Sequence, residues 1–248
     1  MLDETEGDQP GFAPPLTLSS AVVAYIRDAI LRGTYPPGSP LPEIPLSKQV
    51  GASRTTIREA LRSLSEAGLV TIHPRRGAAV GSMSPRRARE LFTLRAVLEA
   101  FAVRLALTEG KIRQDELARI GAAFELLRQS RESGDAYAMI EADMAFHWAV
   151  CSPCRHEILL EQLKGLQTQT RQFIFYTKFY SSDAEGEVEA HMPILMAVRN
   201  LSPERAEAAM RDHIISAGER LLVSMLEEAN TADVAAGAEA PAAKAVRP

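Results

Sequence analysis

A mainly α-helical chain in two parts is predicted: an N-terminal winged helix-turn-helix and a C-terminal all-α antiparallel bundle. Three observations predict it. The stretch SRTTIREALRSLSEAGLV, Ser53 to Val70, sets Ile57, Ala60, Leu61 and Leu64 at three- and four-residue steps, the apolar stripe of a helix. Two short apolar runs follow, separated by Pro74-Arg75-Arg76-Gly77, which reads as a basic-tipped hairpin. From Arg86 to Glu228 the apolar residues recur only at helical spacing.

Met1 to Pro15 is polar and proline-containing and reads as a disordered tail. The winged domain is expected over 16–83. Ser19 or Ser20 caps a first helix with Val22, Val23, Ile26, Ala29 and Ile30 inward, ending at Gly33. Leu46 to Val50 is a short helix and Gly51-Ala52 a tight turn. Ser53 then caps the long helix and Gly68 ends it, because glycine takes the left-handed conformation without steric cost. Strands are expected at Leu69–Ile72 and Ala78–Val80.

The bundle is expected over 84–228. Leu91, Leu94, Leu98, Phe101 and Leu105 mark its first helix, and Leu117, Ile120, Phe124 and Leu127 its second. A third runs from Asp135 to Cys151, a fourth from Glu157 to Tyr180 and a fifth from Glu187 to Arg199, with Pro193 tolerated near its start. Ser202-Pro203 opens the sixth, which runs past Leu226. Six helices joined by short loops make an antiparallel bundle. From Ala229 to Pro248 the alanine-rich sequence reads as a second disordered tail.

The 248 residues, 46% of them hydrophobic, are enough for two cores. No run of eighteen apolar residues suggests a membrane span, and the acidic N-terminus lacks a signal pattern, so a cytoplasmic location is expected. The net charge of -4 is unevenly spread. Residues 16–83 carry eight Lys/Arg against four acids, a net +4, leaving -8 for the rest.

Arg54, Thr55, Arg58, Arg62 and Ser63 fall off the stripe of the long helix. The DNA major groove admits one α-helix, and arginine can pair bidentately with guanine O6 and N7. Hydroxyls and a helix N-terminus suit phosphates. With a helix before it and a basic hairpin after it, the pattern points to DNA binding.

In the bundle, Asp143 and His147 lie one turn apart on a face with Ile140 and Met144. His191 shares a stripe with Ile194, Leu195 and Val198, and His213 one with Ala209, Met210, Ala217 and Leu221. Buried polar groups cost several kcal/mol each unless satisfied. A divalent ion satisfies all four at once, zinc foremost, with nickel, iron or manganese as alternatives. A hydrogen-bonded core network is the competing explanation. Cys151 and Cys154 lack the second pair of a zinc ribbon and the histidine of a haem motif, and read as two reduced cysteines at a helix end.

The run LSKQVGASRTTIREALRSLSEAGLVTIHPRRGAAV resembles the DNA-binding domain of the GntR family of bacterial transcription regulators. The resemblance implies DNA contacts by Arg54, Thr55 and Arg58, with Arg75, Arg76 and Gly77 at the minor groove. Ile44 stands where members often have arginine. LFTLRAVLEAFAVRLA, DMAFH, EAHMPILMAV and AEAAMRDH resemble the FCD domain of the family's FadR-like branch, in its six- or seven-helix form. That implies a metal held by Asp143, His147, His191 and His213, and an organic-acid effector facing Arg95. His156 stands where an asparagine is common. Together these imply a ligand-responsive regulator, a repressor released by a small organic acid. It would bind an inverted-repeat operator as a homodimer. The rivals are a metal-dependent hydrolase, for which only Glu189 offers a base, and a DNA-binding dimer with a purely structural polar core.

Overall fold

The computed structural model describes residues 18–82, 84–176 and 184–238. The winged part comprises α1 (Leu18–Leu31), α2 (Glu43–Val50), α3 (Arg54–Glu66), β1 (Val70–His73) and β2 (Gly77–Val80). Ile57, Ala60, Leu61 and Leu64 of α3 share one core with Val22, Ile26 and Ile30 of α1 and Leu46 of α2. The Ser53 side chain accepts from the Thr56 amide at 3.1 Å, satisfying a donor that the helix start leaves open. Gly68, at φ +79, turns the chain out of α3. The strands pair antiparallel from Val70↔Val80 to His73↔Gly77. Residues 38–41 line the other edge of β2, with the Gly38 amide donating to the Val80 carbonyl and Leu41 to Ala78.

Ser19 and Ser20 do not cap α1; both lie inside it, because the helix already includes Leu18. First-turn amides have no intrahelical acceptor, so a serine is tolerated there. The tail expected at 1–15 lies outside the described residues.

The bundle comprises α4 (Pro85–Thr108), α5 (Gln114–Glu132), α6 (Ala136–Cys151), α7 (Glu157–Tyr176), α8 (Ala184–Glu189), α9 (Met192–Arg199) and α10 (Pro203–Ala238), with a 3-10 turn at Ser152–Cys154. Ser84 and Asp135 cap α4 and α6 through their side chains. Where six helices are expected, seven stand among the described residues. The single helix expected over Glu187–Arg199 is broken, with His191 at the junction. Pro193 explains the break: it has no amide to donate, and its ring would crowd the carbonyl four residues back. The last four residues of the expected Glu157–Tyr180 helix lie outside the described residues.

Two further expectations are corrected. On α4, Leu94 and Phe101 are exposed, and the inward face carries Ala88, Phe92, Arg95, Ala96, Glu99, Ala100 and Val103. The charged pair can turn inward because each partner compensates the other. Small side chains there let α10 approach closely: a Cβ on Gly218 would lie 2.7 Å from the Phe92 Cβ. The tail expected from Ala229 also begins too early, since α10 runs to Ala238. Its alanines favour helix, and no proline interrupts before Pro241.

Candidate metal centre and nucleic-acid face

On α3, Arg54, Thr55 and Arg58 are exposed together, on the side away from the core stripe. They are not independent of α2. Arg58 donates from Nε and Nη2 to the two Glu43 oxygens at 2.9 and 2.7 Å. Arg54 Nη2 lies 3.6 Å from the same carboxylate. The Arg58 hydrogen bond outweighs desolvation and holds the Glu43 carboxyl below its usual range. One acid thus fans two arginines from a single point, an orienting role that spacing within α3 does not show. Arg75, Arg76 and Gly77 form the exposed wing tip, Arg75 at φ +66 and Gly77 at φ +85. Ile44, beside Glu43, is half-exposed.

The second constellation is built by three regions of the bundle. Asp143 and His147 project one turn apart from α6, His191 stands at the α8–α9 junction and His213 on α10. One ligand atom from each lies within 4.8 Å of those of the other three. The imidazole rings converge, with centroids 4.1 Å apart for His191 and His213 and 5.2 Å for His147 and His213. Asp143, His147 and His191 are buried; His213 is half-buried as a residue, but its Nδ1 is fully enclosed.

The hydrogen bonds assign the tautomers. His191 Nδ1 lies 2.8 Å from the Glu187 carbonyl oxygen, which can only accept, so Nδ1 carries the proton. His191 Nε2 points at the Asp143 carboxylate, 2.9 Å from Oδ1: it pairs with the acid when the ring is protonated and presents a lone pair to an ion when the ring is neutral. His147 Nδ1 donates to Glu99 Oε2 at 2.6 Å, which leaves Nε2 as the ring's candidate ligand atom. Burial raises the Asp143 carboxyl, but His191 and the neighbouring imidazoles outweigh it and keep the group far below the usual carboxylate range. Burial, reinforced by His191 and His147, pushes the His213 imidazole well down, so it stands neutral. With the His191 ring neutral, its Nε2 lone pair and the Asp143 carboxylate would repel unless a cation lay between them. The donor set therefore fits a divalent metal.

Arg95 is buried and lines the same cavity of about 20 Å³, with Phe92, Ile174, Ala217 and Leu221. Its Nε donates to Glu99 Oε1 at 2.8 Å. Glu99 is the residue that sequence reasoning missed. Burial raises its carboxyl, but the Arg95 charge and His147 bring it down to about 2. The only sequence signal was the four-residue spacing of Arg95 and Glu99, which reads equally well as an exposed ion pair. Glu187, also buried, is clamped by Arg220 Nε and Nη2 at 2.8 and 2.9 Å, which helps fix the residue whose carbonyl orients His191. His156 is exposed and accepts from the Leu159 amide at the start of α7, away from the cavity. Glu189 is exposed. Cys151 and Cys154 are buried at the end of α6 and in the following turn.

Comparison with known proteins agrees with this architecture. Residues 18–80 match the bacterial regulatory proteins of the gntR family and residues 90–216 match the FCD domain. A relative from Paenarthrobacter nicotinovorans, "Probable D-xylose utilization operon transcriptional repressor", is 29% identical over 200 residues, covering 80% of this chain and 86% of the relative. The "Glc operon transcriptional activator" of Escherichia coli K12 is 27% identical over 220 residues, covering 79% and 86%. The solved structure of E. coli McbR/YncC superposes with a TM-score of 0.72 at 23% identity, covering 85% of this chain and 99% of that one. No described helix is long and apolar enough to cross a membrane. The chain belongs to the GntR family of DNA-binding transcription regulators and carries a C-terminal FCD domain.

Proposed function

We propose that this regulator is a ligand-responsive repressor, with its effector bound at a metal held by Asp143, His147, His191 and His213. The observation that carries the reading is the convergence of the Asp143 carboxylate and three imidazoles, one ligand atom of each lying within 4.8 Å of the others. When bound, the ion supplies positive charge and open coordination positions for an anionic ligand. The protein's own residues do the rest. Glu99 and the Glu187 carbonyl fix two ring orientations, and Arg95 adds a cation suited to a carboxylate. A small organic acid fits that chemistry.

Arg54, Thr55 and Arg58 are proposed to enter the major groove, with Arg75, Arg76 and Gly77 against the minor groove. A homodimer on an inverted-repeat operator follows from matching protein and DNA symmetry. Repression is favoured by the D-xylose relative, whose name is that of a repressor; the E. coli relative is named an activator. The test is the His191→Ala/His213→Ala double variant, assayed on a duplex selected in vitro with the wild type. It should lose metal and response to organic acids while still binding the duplex. A response retained in metal-free protein would leave the four residues as a structural network.

A further inference from the structure

Two turns of α7, Gln167 to Ile174, touch the metal helix, the cavity wall and the DNA-binding domain together. Towards α6, Gln167 Nε2 donates to the Met144 carbonyl at 3.3 Å, between Asp143 and His147, and Arg171 Nε donates to Glu141 at 2.9 Å. Towards the cavity, Ile174 lines the wall and Phe173 packs edge-on against Phe92, another wall residue, at 5.9 Å. Towards the winged domain, the buried Gln172 amide donates from Nε2 to two carbonyls, Leu69 at 3.3 Å and Gly81 at 3.2 Å.

Those two carbonyls flank the hairpin: Leu69 immediately precedes β1 and Gly81 immediately follows β2. The Gly81 amide itself donates to the Leu69 carbonyl at 2.8 Å, closing the base of the wing. The base has no slack. A Cβ on Gly81 would lie 3.2 Å from the Gly68 and Leu69 carbonyl oxygens, and one on Gly68 would meet the Gln169 side chain at 3.0 Å. Gln169 in turn accepts from Arg87, in the first turn of α4, at 3.4 Å.

We propose that Gln172 is the positioning residue through which occupancy of the metal site is felt at the wing. The inference rests on the metal reading above. An ion that ties Asp143 and His147 to His191 and His213 fixes α6 against α10. α7 follows α6 through Gln167 and Arg171, and Gln172 carries that placement to both ends of the wing. The cavity of about 20 Å³ holds only a water-sized occupant, so an organic acid larger than that displaces the wall that includes Ile174. The wing is thereby set by the same stretch of helix that senses the site.

The test uses the full-length protein, zinc alone as the probe, and hydrogen exchange read at residues 66–82. Native mass spectrometry reports zinc occupancy independently. In the wild type, zinc loading after chelator treatment should slow exchange at the wing base about fivefold or more, the low end of allosteric couplings. Gln172→Met keeps the side-chain length and removes the donor. It should bind zinc as the wild type does and lose the wing response, and Gln172→Ala should do the same. If zinc binds and the wing is unchanged in the wild type, or responds equally in both variants, the proposal is overturned while the metal reading stands. If zinc does not bind, the metal reading falls and takes the proposal with it.

Discussion

Replacing Glu99 with glutamine exchanges one carboxylate oxygen for an amino group at a buried position with two demanding neighbours. Arg95 Nε can only donate, so the remaining amide oxygen goes to it. The new amino group then faces His147 Nδ1 and donates to it, which drives the imidazole proton onto Nε2. That proton would point at the ion. Loss of such an orienting partner typically lowers metal affinity about 10- to 100-fold, or about 1.4–2.7 kcal/mol. Stability should also fall by about 3 kcal/mol, because the buried Arg95 charge loses its counter-ion. Chelator competition measures zinc affinity, and urea unfolding of chelator-treated protein measures stability apart from metal. The pH dependence adds a signature. The Glu99 carboxyl lies at about 2 when folded, against an ordinary 4.5. Its contribution is therefore complete above about pH 4.5 and is lost as pH falls towards 2, and the glutamine variant should lack that portion of the acid profile. Wild-type zinc affinity in a destabilised Glu99→Gln protein would refute the orienting role.

On the DNA side, Arg58→Ala should weaken binding to the selected duplex by about 1–3 kcal/mol, the worth of a good base contact, with the fold intact by circular dichroism; unchanged binding would remove α3 as the reading helix. Glu43→Ala should leave Arg58 unoriented and alter sequence preference in a selection experiment more than it alters salt dependence. Arg75→Ala should lower the slope of log K against log salt by about one contact. In the core, Gly218→Ala should cost about 1–3 kcal/mol by overpacking against Phe92, read as a lowered urea midpoint.

What was legible in the sequence followed from periodicity. The α3 stripe, its Ser53 cap and the Gly68 exit depend on local rules, and the structure contains all three. Asp143, His147, His191 and His213 stood out because polar residues interrupted apolar stripes. Glu99 and Glu43 did not, because a charged residue near an arginine has the same sequence signature whether exposed or buried. Leu94 and Phe101 misled in the opposite sense: apolar type assigned them to the core, while the Arg95–Glu99 pair and the close approach of α10 turned another face inward. The break at His191 followed from Pro193, whose restriction on the preceding turn outweighed the apolar pattern running through it.

The most direct measurement of the central claim is native mass spectrometry of purified full-length protein after incubation with zinc, beside the His191→Ala/His213→Ala variant. The account predicts a dimer with one metal ion per chain in the wild type and a metal-free dimer in the variant. A wild-type dimer that stays metal-free, or a variant that holds zinc equally well, would contradict it.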